Sequence, residues 1–233
     1  MSIGLSVIMI CLNEGDNLRR PLQALSGWRE RGAEIIVVDG GSSDDTIAQV
    51  TPLADCVIET SKGRANQLNA GAAIARGQIL IFLHADTIAP IDGDQTLQKA
   101  LAASTSADSP QSLAWGRFDV RIQGQSFWLG MVATLMNLRS RLTGIATGDQ
   151  ALFMTRAAFD AVGGFARQPL MEDIEICKQM RRLAKPICLR DTVVTSGRRW
   201  DTKGVWRTIF LMWSLRWRYW RGESAESIAR DYQ

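Results

Sequence analysis

The only histidine of the chain, His84, and Asp86 follow directly on a five-residue apolar run, Ile79 to Leu83. On an extended backbone, side chains two positions apart point the same way, so these two face one crevice together. A carboxylate delivered there by a hydrophobic strand is costly unless it pairs or binds a cation, and a divalent metal clamping a diphosphate would use it well. A hydrogen-bonded core histidine beside a capping aspartate would account for the same residues. Asp39 ends the run Glu34 to Val38 and precedes Gly40-Gly41-Ser42-Ser43-Asp44-Asp45-Thr46. The glycines permit a tight turn, Ser43 or Asp44 can cap the next helix, and Asp39 is left to accept hydrogen bonds from a base or ribose. A capped strand-to-helix turn explains it equally well. Asn13 and Glu14 reach the same edge from the first strand. At the start of a helix, Arg64 suits a phosphate or a base, while Gln67 and Asn69 also suit local backbone groups.

These residues sit where alternating elements would place them. Leu5 to Cys11, Glu34 to Val38, Cys56 to Glu59 and Ile79 to Leu83 read as strands. Asn17 to Arg31, Asp44 to Leu53 and Gly63 to Arg76 between them read as helices. Such alternation implies βαβ units, a largely parallel sheet, and ligands beyond the carboxyl ends of its strands. Further on, Ser104 to Gln111 reads as a surface loop, Leu113 to Ile122 and Ala151 to Thr155 as strands, and Phe127 to Leu142 as an apolar helix. Arg156 to Val162 reads as a short helix ended by Gly163 and Gly164, and Asp173 to Leu183 as another.

The chain has 233 residues, 46% hydrophobic and 22% charged, the mix of a folded globular protein with room for one substantial core. Its net charge of +3 is unevenly placed: Gly197 to Arg221 carries seven basic residues against Asp201 alone, so that stretch is +6 and the remainder −3. Basic residues confined to one segment do not make a nucleic-acid interface, and none is expected. Cys11, Cys56, Cys177 and Cys188 show no C-x-x-C pairing, which argues against a zinc site or disulfide framework and fits a reducing, cytoplasmic setting. No apolar run reaches the roughly 18 to 20 residues of a membrane span.

Five segments in order carry a resemblance: Cys11-Leu12-Asn13-Glu14; Val38-Asp39-Gly40-Gly41-Ser42; Gly63-Arg64-Ala65-x-Gln67-x-Asn69-x-Gly71; His84-Ala85-Asp86; and Gly163-Gly164-Phe165 with Met171-Glu172-Asp173. Together they resemble glycosyltransferase family 2. The resemblance implies the GT-A fold, an α/β, Rossmann-like, mostly parallel sheet flanked by helices, over residues 1–196. Its nucleotide-binding half would be 1–103 and its acceptor half 104–196, with 197–233 a basic aromatic helical extension. It implies a nucleotide-diphosphate sugar as donor, a UDP sugar as the family-level default, and Mn2+ or Mg2+ on the diphosphate. Asn13, Glu14, Asp39 and Arg64 would line the nucleotide site, with Gln67, Asn69, His84 and Ala85 in the same motifs. Asp86 corresponds to the last carboxylate of the family's D-x-D motif, and Asp173, closing the pair with Glu172, to the base of inverting members. His84 stands where many members have the first Asp, which implies a weaker metal preference or contacts shifted to the sugar. By the same likeness, Asp149 of Gly148-Asp149-Gln150 would lie near the sugar and acceptor. Arg199 and Trp200 of Arg198-Arg199-Trp200 would cover the diphosphate; a capped turn and a solvated basic loop are the plain alternatives.

In Gly204 to Arg221, Trp206, Phe210, Trp213, Trp217 and Trp220 form one stripe at about 100° per residue, and Leu211, Met212, Leu215 and Tyr219 fall opposite. One face can pack on the domain; a membrane interface, a second subunit in a homodimer, or the helix Phe127 to Leu142 would each cover the other. Membrane contact would make the protein peripheral and a lipid-linked acceptor natural. A nucleotidyltransferase would carry a Gly-rich loop with basic residues where Leu12-Asn13-Glu14-Gly15 stands. A non-catalytic nucleotide-sugar or membrane-binding protein of the same fold has only His84 in its favour.

Overall fold

The computed structural model describes residues 4–104 and 113–232. All of the loop expected over Ser104 to Gln111 except Ser104 lies outside the described residues. In chain order, β1 (Leu5–Cys11) leads through a short 3-10 turn to α1 (Arg19–Ala24) and α2 (Ser26–Glu30). Next come β2 (Glu34–Asp39), α3 (Thr46–Val50), β3 (Cys56–Glu59), α4 (Arg64–Ile74) and β4 (Ile79–His84). The second half holds β5 (Thr87–Ile88), α5 (Gly93–Ala103), β6 (Trp115–Gln123), α6 (Leu129–Thr143), β7 (Phe153–Thr155) and α7 (Arg156–Val162). It closes with α8 (Glu172–Leu183), β8 (Ile187–Ser196), α9 (Arg198–Lys203), α10 (Val205–Trp220) and α11 (Ala225–Tyr232).

One sheet in the order β3-β2-β1-β4-β7-β6-β8-β5 runs through the molecule. β3, β2, β1 and β4 are parallel, as the alternation predicts. Beyond β4 the sheet is mixed: β7 is antiparallel to both β4 and β6, β8 is parallel to β6, and β5 is antiparallel to β8. Every residue of β1 is buried because helices cover both faces, which is why the strand reads as one apolar run. Val7 and Met9 join the core under α1, α2 and α5, while Ile8 and Ile10 face α4, α7 and α8. α4 lies hard against the sheet at Gly71, where a Cβ would stand 2.4 Å from an Ile8 methyl and 2.9 Å from one of Val38.

One expectation needs adjustment, and further elements lie outside the expected pattern. The helix read over Asn17 to Arg31 is broken at Leu25, and beyond the bend Trp28 donates its indole N–H to the carbonyls of Pro90 and Ile91 at 3.0 Å. The strand β8 escapes the pattern because Arg190 and Asp191 interrupt its apolar residues. The short α11 likewise gives no long periodic signal.

α10 settles which of its faces packs inward. Leu215, with Leu211, Met212 and Tyr219, joins Leu170, Met171, Ile174 and Ile228 in a cluster on the domain. Trp206, Phe210, Trp213, Trp217 and Trp220 are exposed. α6 repeats the arrangement: Leu129, Val132 and Ala133 pack inward, whereas Met131, Leu135, Leu138 and Leu142, with Phe127 just before the helix, are exposed. α6 is tied to the sheet by Asn137, whose side chain accepts from the Val120 N–H at 2.9 Å and donates to its carbonyl at 3.0 Å.

Candidate active site

The carboxyl ends of β1, β2 and β4 meet at one edge, and the turn after β2 is bound to the end of β1. Asn13 accepts from the Ser43 N–H at 2.8 Å and donates its own N–H to the Ser42 hydroxyl at 2.8 Å. The N–H groups of Glu14 and Gly15 both donate to the Thr46 hydroxyl. Asp39 is fully buried and accepts from the N–H groups of Gly41 at 2.8 Å and Ser42 at 2.6 Å, and from the Ser42 hydroxyl. Burial favours its neutral form, but these hydrogen bonds prevail and hold the carboxyl below its ordinary range.

Gln67 is buried and donates to the carbonyls of Cys11 and Val38 at 2.8 and 3.0 Å, locking the ends of β1 and β2 together. Asn69 exchanges two hydrogen bonds with the backbone of Phe165, at 2.8 and 2.9 Å, and so fixes the loop that leads to α8. Both amides serve the frame.

The acidic and basic groups converge on the other side of the crevice. His84 Nδ1 lies 3.4 Å from Asp149 Oδ1, and the ring rests on Gly148, where a Cβ would come within 2.4 Å of Nε2. The Gly148 N–H donates to Asp173 Oδ2 at 3.1 Å, and Asp173 Oδ1 accepts from the Ile174 N–H at 2.7 Å. Gln150, fully buried, anchors this turn to α6 through Asn137 and Ser140 at 3.2 and 3.0 Å. A short chain of contacts thus runs from the end of β4 to the start of α8. Burial favours neutral His84, yet the Asp149 carboxylate raises its pKa; burial opposes ionised Asp149, yet His84, Arg64 and Arg139 lower its pKa. Asp173 is raised, by burial first, against the opposing pull of the Gly148 N–H and Arg64.

Glu172 is 3% exposed, its Oε1 is 3.8 Å from Arg64, and its Oε2 has no hydrogen-bond partner. Burial and the Asp173 charge push it up to about 7, whereas the neighbouring carboxylates keep Arg64 charged. The partners are pulled in different senses, and burial decides at Glu172 because the contact is too long to reverse it. A carboxyl raised in the folded state stabilises folding below its ordinary value of 4.5, and that contribution is lost as pH rises through about 7. The loss amounts to at most about 3 kcal/mol. Glu172→Gln is therefore expected to gain stability relative to wild type between about pH 5 and about pH 8. Urea unfolding of both proteins at the two pH values checks this, and an unchanged difference would refute the shifted carboxyl.

Asp86 lies half-buried at the mouth of the crevice, and its Oδ1 receives two long hydrogen bonds, from the hydroxyls of Thr87 and Thr195, each at 3.4 Å. Among the described residues no three His, Cys, Asp or Glu side chains gather as a metal cage. One accessible carboxylate nevertheless fits Mn2+ or Mg2+ bound together with diphosphate oxygens, since such ions are usually held by one or two carboxylates plus substrate phosphates and water. Ala85 between the two polar residues is buried in the core.

α9 crosses the open side. Arg198 is 3.6 Å from Glu14, and the Arg199 guanidinium lies 3.9 Å over the Tyr232 ring while donating to the Tyr232 carbonyl at 3.2 Å. Tyr232 is also among the groups that favour the charged form of Arg64. Trp200 turns the other way, into the cluster of Ile122, Leu129 and Val205. Two residues of this site were not picked out from the sequence. Tyr232 has no local signal, whereas Arg139, a charge inside the apolar pattern of α6, had one. Burial lowers Arg139, the charges of Asp173 and Asp149 oppose that, and its Nε and Nη2 have no hydrogen-bond partner. Orphaned buried polar atoms on Arg139, Glu172 and Arg199 mark a place suited to a polar ligand. All three non-glycine residues with positive φ among those described, Asn13, Ala151 and Met171, also flank this crevice, where strain commonly collects.

The glycosyl transferase family 2 model matches residues 6–162. An uncharacterized glycosyltransferase of Mycobacterium tuberculosis is 31% identical over 208 residues, 86% of this chain and 76% of that protein. Two solved structures share the fold at lower identity. Staphylococcus aureus TarS 1–349 in complex with UDP-GlcNAc has a TM-score of 0.64 at 17% identity, over 82% of this chain and 58% of that one. The mannosyltransferase PcManGT of Pyrobaculum calidifontis, in complex with GDP-Man and Mn2+, has 0.62 at 19%, over 91% and 60%. The chain thus spans about three fifths of each of these structures.

Proposed function

This chain belongs to glycosyl transferase family 2 and is a glycosyltransferase; from that premise we propose that it moves a sugar from a nucleoside-diphosphate sugar to an acceptor hydroxyl with inversion, Asp173 acting as general base. The observation that carries this reading is the contact chain His84–Asp149, His84–Gly148 and Gly148–Asp173, which ties the donor end of β4 to a half-buried carboxylate of raised pKa on the opposite side.

In this reading residues 1–103 hold the donor and 104–196 the acceptor. The acceptor oxygen attacks the anomeric carbon on the face opposite the diphosphate, the bond from that carbon to the diphosphate breaks, and Asp173 takes the hydroxyl proton. Arg64 and Arg199 face the charge that the diphosphate carries away. A divalent cation shared by Asp86 and the diphosphate would supply further stabilisation of that leaving charge. Asn13, Glu14 and the Asp39 turn form the nucleoside end, with a UDP sugar the first donor to test. A cytoplasmic, reducing setting suits the four unpaired thiols, and an acceptor anchored in lipid suits the exposed faces of α6 and α10.

The test is thermal stabilisation of the full chain by a panel of nucleoside diphosphates and their sugars, with and without Mn2+. One base is expected to raise the Tm in a metal-dependent way and its sugar derivative to be hydrolysed slowly. Indifference to every nucleotide would overturn the donor assignment.

A further inference from the structure

Ten of the thirteen large hydrophobic side chains that are exposed among the described residues lie on two stripes, one along α6 and one along α10. Each stripe has helical spacing: positions 127, 131, 135, 138 and 142 in the first, at intervals of 4, 4, 3 and 4, and 206, 210, 213, 217 and 220 in the second, at intervals of 4, 3, 4 and 3. In both, residues four, three and four apart keep to one helix face. Neither stripe is spare core, because each helix already packs an opposite apolar face on the domain. The helices approach at their starts, where Trp128 and Trp206 meet edge to face at 5.4 Å, and Ile145, just past α6, packs on the same cluster as Leu211 and Met212 in the middle of α10. An exposed apolar surface on this scale is rare unless it meets a partner or a membrane.

We propose that α6 and α10 together form a platform that docks flat on an anionic bilayer, its aromatic side chains entering the headgroup boundary. Charge selects this occupant. The stretch Gly197 to Arg221 is +6, and Lys203, Arg207 and Arg221 on it are exposed, with Arg221 4.8 Å over the Trp217 ring. Arg218 is paired internally with Glu223 and Asp231 and plays no part. A second copy seated on the same surface would set the exposed Lys203, Arg207 and Arg221 of the two chains against each other, whereas an anionic surface neutralises them. Tryptophan and arginine side by side on one helix face also suit the membrane boundary better than a dry interface. No helix among those described is long and apolar enough to cross a membrane, so the contact is lateral. Arg139 is on α6 as well, and docking this face would hold the crevice at Asp173 close to the lipid surface.

The experiment is co-sedimentation of the full chain with phosphatidylcholine vesicles, with or without phosphatidylglycerol, at low and high salt. The variants are Trp213→Ser/Trp217→Ser and Leu135→Ser/Leu138→Ser, each first shown to keep the wild-type Tm and nucleotide response. Wild type is expected on the anionic vesicles, with each pair of substitutions weakening binding about tenfold or more. Three results would overturn the proposal: absence of binding at low salt; binding that salt abolishes and neither pair alters; or a stable dimer without vesicles that both pairs dissolve, which would assign the surface to a second copy. The donor assignment stands or falls separately on the nucleotide response.

Discussion

Asp173→Asn is expected to lower the transfer rate by about 10² to 10⁴-fold, the usual contribution of a positioned general base, while leaving nucleotide-sugar affinity within a small factor of wild type. The substitution is close to isosteric, and its remaining oxygen can still accept from Gly148 or Ile174, so the turn at Gly148 and the start of α8 should survive. What the amide cannot do is take a proton. Asp173 is suited to that task because burial raises its carboxyl, against the opposing pull of two backbone N–H groups and Arg64. Single-turnover transfer measured beside donor affinity separates base loss from misfolding. Near-normal turnover would move the base elsewhere, and a collapse of affinity with an intact Tm would place Asp173 on the donor.

Asp86→Ala is expected to abolish the metal-dependent part of nucleotide binding and to reduce kcat/KM by about 10² to 10³-fold, in line with several kcal/mol of lost stabilisation of the leaving charge. The fold should tolerate the change, since Asp86 is half-buried and its partners, Thr87 and Thr195, stand at 3.4 Å. Titration of Mn2+ in the presence of the selected nucleotide, followed by Tm, reads the effect directly. An undiminished metal-dependent shift in the variant would remove Asp86 from the metal site.

Both predictions concern residues that stand out in the sequence because each follows or opens a regular element. Asp39 and Asp86 follow buried parallel strands whose unbroken apolar runs are plain in the sequence, and Asp173 lies in the first turn of a helix. The contacts that give them meaning are long-range and leave no local trace. Nothing near Asp149 says that His84, 65 positions away, will rest against it. Gln67 and Asn69 share a motif with Arg64, yet they bind backbone, because their helix positions face the sheet and the Phe165 loop. Trp200 follows Arg199 directly and points the other way, since successive side chains on a helix are about 100° apart.

The sequence by itself determined the parallel half of the sheet, the order of the motifs and the stretch in which positive charge gathers. Those follow from periodicity and composition, which act over a few residues at a time. Only the tertiary structure decided that the second half of the sheet is mixed, that α11 brings Tyr232 onto Arg199, and that the tryptophan stripe of α10 faces outward, as does an apolar stripe along α6. α10 is apolar on two sides, and no local rule says which side packs inward. The choice falls to the shape of Leu170, Met171, Ile174 and Ile228, which receive Leu215 and its neighbours and leave the tryptophans outside.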